Sequence, residues 1–352
     1  MTSFLDSFSF QTRYRGSKIK MIPAIYDVVK KLEFETVLDA FAGTGVVSYL
    51  FKRMDKQVLF NDHLHFNYII GRAIIENSET RLTKADVDQI LKPKPYEEHS
   101  HLIEEQFADI YYTNEENVWL DRVISNLYEM EPGYNQDLGF WCLFQSCITK
   151  RPFSLFHRRN LNLRTRNVKR SFGNKVTWDT PFDIHFKRFV EEVNGYIIKT
   201  KKSCHVLRSD VMQVPLNYFE QGFDLVYIDP PYIPKRGENI IYRDLYHFLE
   251  GITQYDEWES QIDSKSKHKR IKPLYNVWND KKSITNVFTD MLDRYKNSTI
   301  LLSHRSEGIP STNDLLDMLN KKWTSVSIVN SIGHKYALST RDSNEILILA
   351  HN

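Results

Sequence analysis

Two hydrophobic rhythms alternate along the chain. Residues 18–32 place Ile19, Ile22, Ile25, Tyr26 and Val29 at helical spacing, which predicts an amphipathic helix. A short apolar run at 36–41 then predicts a strand. It is followed by the small-residue turn Ala42-Gly43-Thr44-Gly45, a helical pattern at 46–53 and a second strand at 58–62. Strand, turn, helix and strand in that order make a βαβ unit and imply a parallel sheet. From 63 to 150 the pattern is mostly helical, broken at Lys92-Pro93-Lys94-Pro95. Beyond a predicted helix at 182–200, strands are expected at 205–207 and 223–228, and a helix near 242–251. The tail predicts helices at 284–295 and 311–319 and strands at 299–303 and 325–329. It closes on an antiparallel pair, 336–339 with 345–350. These elements compose a doubly wound α/β core, residues 1–80 and 200–352, split by a mainly helical insertion, residues 81–199.

Composition changes little except in one place. With 41% hydrophobic and 26% charged residues, the 352-residue chain has the make-up of an ordinary globular protein. Cys142, Cys147 and Cys204 form no paired framework and suit a reducing compartment. No apolar run approaches the length of a membrane span or the pattern of a signal peptide, so a cytoplasmic location is expected. The net charge of +2 conceals an uneven distribution. Residues 150–175 carry Lys150, Arg151, Arg158, Arg159, Arg164, Arg166, Lys169, Arg170 and Lys175 without an acid, with Phe153, Phe156, His157 and Phe172 interleaved. Such a stretch repels itself in isolation and reads as a surface facing an anion. Within it, Phe153 and Phe156 are expected to be core anchors.

Candidate chemistry gathers at strand ends. The run 223–228 stops at Asp229-Pro230-Pro231-Tyr232, where two prolines fix φ and remove two backbone donors. Taken alone, this is either a proline-terminated strand or a rigid presentation of the Asp229 carboxylate and the Pro230 carbonyl to a flat, amino-bearing ring. The second cluster is Asp39-Ala40-Phe41-Ala42-Gly43-Thr44-Gly45, whose glycines let a ligand approach the backbone. It lacks the third glycine of a dinucleotide site, with Val47 and Ser48 following, which argues against a pyrophosphate. Asp62 closes the second strand, where an acid is either a helix cap or an acceptor for both ribose hydroxyls. Together the turn and the acid suggest an adenosine-type ligand without pyrophosphate, and S-adenosylmethionine fits best. No His-Glu-x-x-His or comparable spacing points to a metal.

Three motifs in order give the chain a family likeness. Arg13-Tyr14-Arg15-Gly16-Ser17-Lys18, Phe41-Ala42-Gly43-Thr44-Gly45 and Asp229-Pro230-Pro231-Tyr232 resemble the Y-x-G-(N/S)-K, F-x-G-x-G and D-P-P-Y elements of the alpha-group, Dam-like adenine-N6 DNA methyltransferases. Segments 150–158, 246–250 and 303–310 are similar to stretches of type II and IIS modification methyltransferases. The resemblance implies a Rossmann-like S-adenosylmethionine-dependent fold, a mostly parallel sheet with a C-terminal antiparallel strand, and a target-recognition insertion. It implies that Tyr14, Gly16 and Lys18 enclose the methionine end of the cofactor. Asp39, Phe41, Ala42, Gly43 and Gly45 line the cofactor, Asp62 holds its ribose and Asp210 stands near its adenine amino group. Asp229 and Pro230 accept the N6 hydrogens of a flipped-out adenine and Tyr232 stacks on it. Lys150, Arg151, Arg158, Arg159, Arg164, Arg166, Lys169 and Arg170 contact double-stranded DNA. The resemblance further implies a monomer and the possibility of a cognate restriction endonuclease in the same system. Two other readings stand beside this one: an amino-methyltransferase acting on cytosine N4, RNA or a protein glutamine, and a DNA-binding specificity protein without catalysis. Serine or asparagine is usual in place of Asp229 in the first. A cytosine-C5 mechanism lacks its cysteine following proline.

Overall fold

The computed structural model describes residues 4–158, 161, 174–235, 239–334 and 343–352. Seven strands form one sheet: β1 (Thr36–Asp39), β2 (Gln57–Asp62), β3 (His205–Arg208), β4 (Leu225–Ile228), β5 (Thr299–Arg305), β6 (Ser325–His334) and β7 (Ser343–His351). Their spatial order is β3-β2-β1-β4-β5-β7-β6. The first five run parallel, while β7 pairs antiparallel with both β5 and β6. The chain winds outward from β1 to β2 and β3, then crosses back to β4 on the other side of β1. The carboxyl ends of β1 and β4 therefore flank the point where winding reverses, and ligands of open α/β sheets bind in that crevice.

The central strands are apolar on both faces because helices cover both. Alternate residues go to opposite layers. Val37, Phe60, Leu225, Leu301 and Leu347 belong to one core. Leu38, Leu59, Val226, Ile300 and Ile348 belong to the other. The first layer packs under α1 (Ile22–Val29) and α2 (Val46–Arg53). It continues without a break into the insertion, through Ile124 of α3 (Asn114–Tyr128), Phe144 of α4 (Tyr134–Thr149) and Phe189 of α5 (Phe182–Tyr196). The second layer is closed by Phe288 and Met291 of α6 (Ile284–Arg294) and by Leu315 and Leu319 of α7 (Thr312–Asn320).

Four elements differ from expectation. The helix expected at 18–32 is a 3-10 turn, Ile19–Met21, leading into α1, which ends at Val29. The helix near 242–251 is two short helices, Tyr242–Leu245 and His247–Ile252, hinged at Tyr246. That hinge lets the Tyr246 ring stack on Tyr14, with 4.5 Å between centroids, while its hydroxyl accepts the Arg15 N–H at 2.8 Å. The expected strand at 325–329 extends to His334 and is itself the antiparallel partner of β7. The 336–339 segment lies outside the described residues. The helix begun at Phe182 stops at Tyr196, short of 200.

Candidate active site

The β1–α2 connection is tight enough to need glycine. Gly43 (φ +55°) and Gly45 (φ +78°) both take the left-handed conformation that side chains disfavour. Asp62 at the end of β2 pins this turn, accepting the Gly43 N–H at 2.9 Å and the Leu64 N–H at 2.8 Å. Burial raises the Asp62 carboxyl above the usual range, against the pull of those bonds. Asp39 ends β1 beneath the turn. The Ser48 hydroxyl donates to its Oδ2 at 2.7 Å, and its Oδ1 is buried with no hydrogen-bond partner among the described residues. Burial pushes the Asp39 carboxyl up to about 7.

The N-terminal segment crosses this crevice. Tyr14 stacks on Tyr246 and, at 5.5 Å, on Tyr242. Gly16 (φ +82°) passes so close to Tyr242 that a Cβ would stand 2.4 Å from its hydroxyl. Lys18, 4% exposed, then turns inward beside β4. Its ammonium lies 2.7 Å from Asp229 Oδ2 and 2.8 Å from Oε1 of Glu345, which comes from β7. The Tyr232 hydroxyl is 2.8 Å from Asp229 Oδ1 and 2.7 Å from the same Glu345 oxygen. Ser303 of β5 donates to Glu345 Oε1 at 3.3 Å. Two carboxylates thus share one ammonium and one phenol.

The electrostatic consequences are uneven. Burial pushes Asp229 up to about 6, and Lys18 opposes the shift. Burial also acts upward on Glu345, but Lys18 outweighs it and holds that carboxyl below its usual range. Lys18 is raised above the ordinary lysine value, because its two acids overcome its burial.

Most of these groups line one cavity of about 530 Å³, Glu345 and Ser303 not among them, within the roughly 300–1,000 Å³ of small-molecule sites. Tyr14, Gly16, Lys18, Asp39, Phe41, Ala42, Gly43, Asp62 and Asp210 face it together with Asp229, Pro230 and Tyr232. Asp210 caps the turn after β3, accepting the Met212 N–H at 2.8 Å. Gly45 shapes the turn from behind, where a Cβ would meet the Phe60 ring at 3.2 Å. Sequence reasoning missed Glu345, Tyr242 and Trp278, whose indole meets Phe41 edge-on at 4.8 Å. Leu274 and Tyr275, 69% and 77% exposed, stand at the mouth. The sequence marks Glu345 only as the acid at the start of the apolar run Ile346–Ala350.

The basic stretch is placed differently. Lys150 and Arg151, expected on a DNA-facing surface, are buried. Lys150 pairs with Glu116 at 2.7 Å, and the Arg151 guanidinium lies 4.4 Å over the Tyr111 ring and donates to the Tyr111 and Leu155 carbonyls. Each finds its partners inside the insertion's aromatic core, so neither is presented to a phosphate. Arg158 is exposed, as expected. Arg159, Arg164, Arg166, Lys169 and Arg170 lie outside the described residues. Phe156 is buried as an anchor, whereas Phe153 is 58% exposed on a backbone with φ +56°, which corrects its expected place in the core.

A doubly wound sheet with a glycine turn and a rigid Asp-Pro-Pro-Tyr at its switch point, closed by an antiparallel strand, is the Rossmann-like fold of methyltransferases. The profile of the D12 class N6 adenine-specific DNA methyltransferases matches residues 14–302, and the chain belongs to that family. It is an adenine-specific DNA methyltransferase. Among its relatives is the type II methyltransferase M2.HphI of Haemophilus parahaemolyticus, 24% identical over 97% of this chain and 98% of that one. The type II methyltransferase M.FokI of Planomicrobium okeanokoites is 27% identical over 84% of this chain. The match spans only 45% of that longer relative. M.NlaIII of Neisseria lactamica is 23% identical over 88% and 87% of the two chains.

Proposed function

We propose that the cavity holds S-adenosylmethionine against the β1–α2 turn and a flipped-out adenine against Asp229-Pro230-Pro231-Tyr232. One observation carries this reading: the two half-sites share the walls of one cavity, with Asp39 ending β1 and Asp229 just past the end of its parallel neighbour β4. The residues present suit the cofactor. The unpartnered Asp39 Oδ1 complements a cation, and Asp62 keeps further lone pairs for ribose hydroxyls. The turn offers no phosphate cradle, in keeping with a ligand that has no pyrophosphate.

S-adenosylmethionine supplies an electrophilic methyl group when bound. The rest falls to the protein. Adenine N6 is a weak nucleophile because its lone pair is delocalised into the ring. Asp229 and the Pro230 carbonyl each accept one N6 hydrogen, which favours a pyramidal nitrogen with an available lone pair. A strong base is unnecessary, since the N6 cation formed on methylation is acidic and loses its proton afterwards. Orientation and fixed charge supply most of the acceleration. The base must leave the duplex to reach Asp229, at an unstacking cost of roughly a few kcal/mol. Phosphate contacts from the basic stretch, with exposed Arg158 at its edge, offset that cost and make affinity salt-dependent.

The relatives' names extend the reading to biology. We infer that this chain is the modification partner of a type II restriction endonuclease sharing its recognition sequence. To test the site, plasmid DNA from a methylation-deficient host is treated with the enzyme and isotopically labelled S-adenosylmethionine, then digested to nucleosides. Labelled N6-methyladenine is expected. Label in N4-methylcytosine alone, or no transfer beside tight duplex binding, would overturn the proposal.

A further inference from the structure

Asp229 meets a conflict in this structure. To orient an adenine amino group it must offer negative oxygen, yet Lys18 sits on one of its oxygens and the Tyr232 hydroxyl on the other. Left alone with these donors, Asp229 would be a neutralised ion pair. Glu345 changes the balance. Its Oε1 lies within hydrogen-bond distance of the same ammonium and the same phenol, at 2.8 and 2.7 Å. A phenol has one proton and donates it to one carboxylate at a time. Glu345 is therefore a second acceptor already in place for both donors. It lies beyond the 14–302 span matched by the family profile, on the strand that joins the sheet antiparallel.

We propose that Glu345 is a positioning residue for methyl transfer, taking Lys18 and the Tyr232 hydroxyl from Asp229 as the substrate amino group arrives. The exchange needs no large movement, since every donor already stands between its two acceptors. It leaves Asp229 with free lone pairs and its full charge, while Lys18 stays paired and buried. The cluster carries two acids and one ammonium, so a surplus negative charge faces the nitrogen that becomes positive during transfer. The inference rests on the proposed placement of adenine against Asp229.

Several other groups face this cluster. Asp39 and Tyr227 come from β1 and β4, and Ser303 and His304 from β5. Arg305 stands opposite Glu345 in the strand register. None of these offers a second carboxylate to both Lys18 and Tyr232 among the described residues.

The test compares wild type with Glu345→Gln in steady-state methylation of duplex DNA across pH, with thermal unfolding as a check on folding. Glu345→Gln is expected to lower kcat by roughly ten- to a hundredfold, with KM for DNA within about threefold. The acidic limb of its kcat profile moves to lower pH, because Asp229 loses a repelling neighbour and keeps Lys18 to itself. A role confined to holding the strand would lower the unfolding temperature and leave kcat per folded molecule at the wild-type value. Wild-type kcat, or reduced kcat with an unmoved limb, would overturn the inference. If the glutamine variant does not fold, Glu345→Asp keeps the charge but draws it back from Lys18 and Tyr232, so kcat is expected to fall between wild type and the losses above with the acidic limb in place; wild-type kcat there overturns the inference equally. Wild type that forms no N6-methyladenine would sink the underlying reading instead, so the two failures are distinguishable.

Discussion

Lys18 and Lys150 are both buried, and their surroundings differ in one respect. In the insertion, Lys150 meets one carboxylate, Glu116, which also closes the Thr113 capping box of α3. The Thr180 carbonyl and the Phe182 ring also lie against it. Among the described residues one cation meets one anion there. At the switch point, Lys18 meets two carboxylates and borders a cavity. Acid is in surplus there; burial pushes Asp229 up to about 6, and Glu345 adds to that shift against the pull of Lys18. The balanced pair holds helices together. The unbalanced one keeps an acceptor that a ligand can engage, and charge that is costly while the cavity is empty becomes useful when a cation or a polarised amino group enters it.

The largest expected effect breaks the unbalanced site outright. Asp229→Ala should lower kcat by about a thousandfold or more, while isothermal titration finds S-adenosylmethionine affinity within about threefold of wild type. Near-wild-type turnover would remove Asp229 from the mechanism. The balanced site should fail differently. Lys150→Met leaves the Glu116 carboxylate without its cation and should cost about 2–4 kcal/mol in urea unfolding, somewhat under the full figure for a buried pair because Glu116 is partly exposed. Turnover per folded molecule should stay within about twofold. A stable Lys150→Met enzyme with weakened DNA binding would instead return Lys150 to the DNA-facing role.

Proton release sharpens the contrast. The ordinary Asp39 value is 3.8 and burial takes it up to about 7 in the folded chain. Between those values the folded chain holds a proton that the unfolded chain has released, so ligand-free stability falls as pH rises through that window. A cationic ligand favours the ionised form. S-adenosylmethionine affinity should therefore rise with pH up to about 7, and calorimetry in buffers of different ionisation enthalpy should detect a released proton. Asp39→Asn should flatten that dependence; an equally steep profile in the variant would assign the proton elsewhere. The smallest effect is steric. Gly16→Ala puts a side chain at φ +82° and a Cβ 2.4 Å from the Tyr242 hydroxyl. It should cost about 1–2 kcal/mol in thermal unfolding and weaken cofactor binding, whereas Gly195→Ala, with open space around its Cβ position, should not.

What the sequence made legible follows from the same contrast. β1, β2 and β4 read clearly because buried parallel strands are short apolar runs with marked ends, and the glycine turn and the prolines supply those ends. The groups around the cavity were legible wherever a local pattern fixed them, as at Asp39, Asp62 and Asp229. Glu345 was not, because an acid opening an apolar strand reads as its solvent end, and its partner Lys18 is near the other end of the chain. Lys150 and Arg151 read as surface because charge predicts exposure; only tertiary contacts with Glu116 and Tyr111 bury them. Tyr246 interrupts a good helical pattern for the same reason, its ring and hydroxyl being claimed by Tyr14 and Arg15. Local pattern reaches strand ends and turns, and balance of charge between distant segments lies beyond it.

In the proposed mechanism Asp229, at the switch point, directs methyl transfer to adenine N6. Single-molecule sequencing of DNA from a methylation-deficient host expressing the chain tests it most directly, with an Asp229→Ala culture beside it. N6-methyladenine confined to one sequence context is expected in the wild-type culture and none in the variant. N4-methylcytosine in its place, or adenine marks persisting in Asp229→Ala, would contradict it.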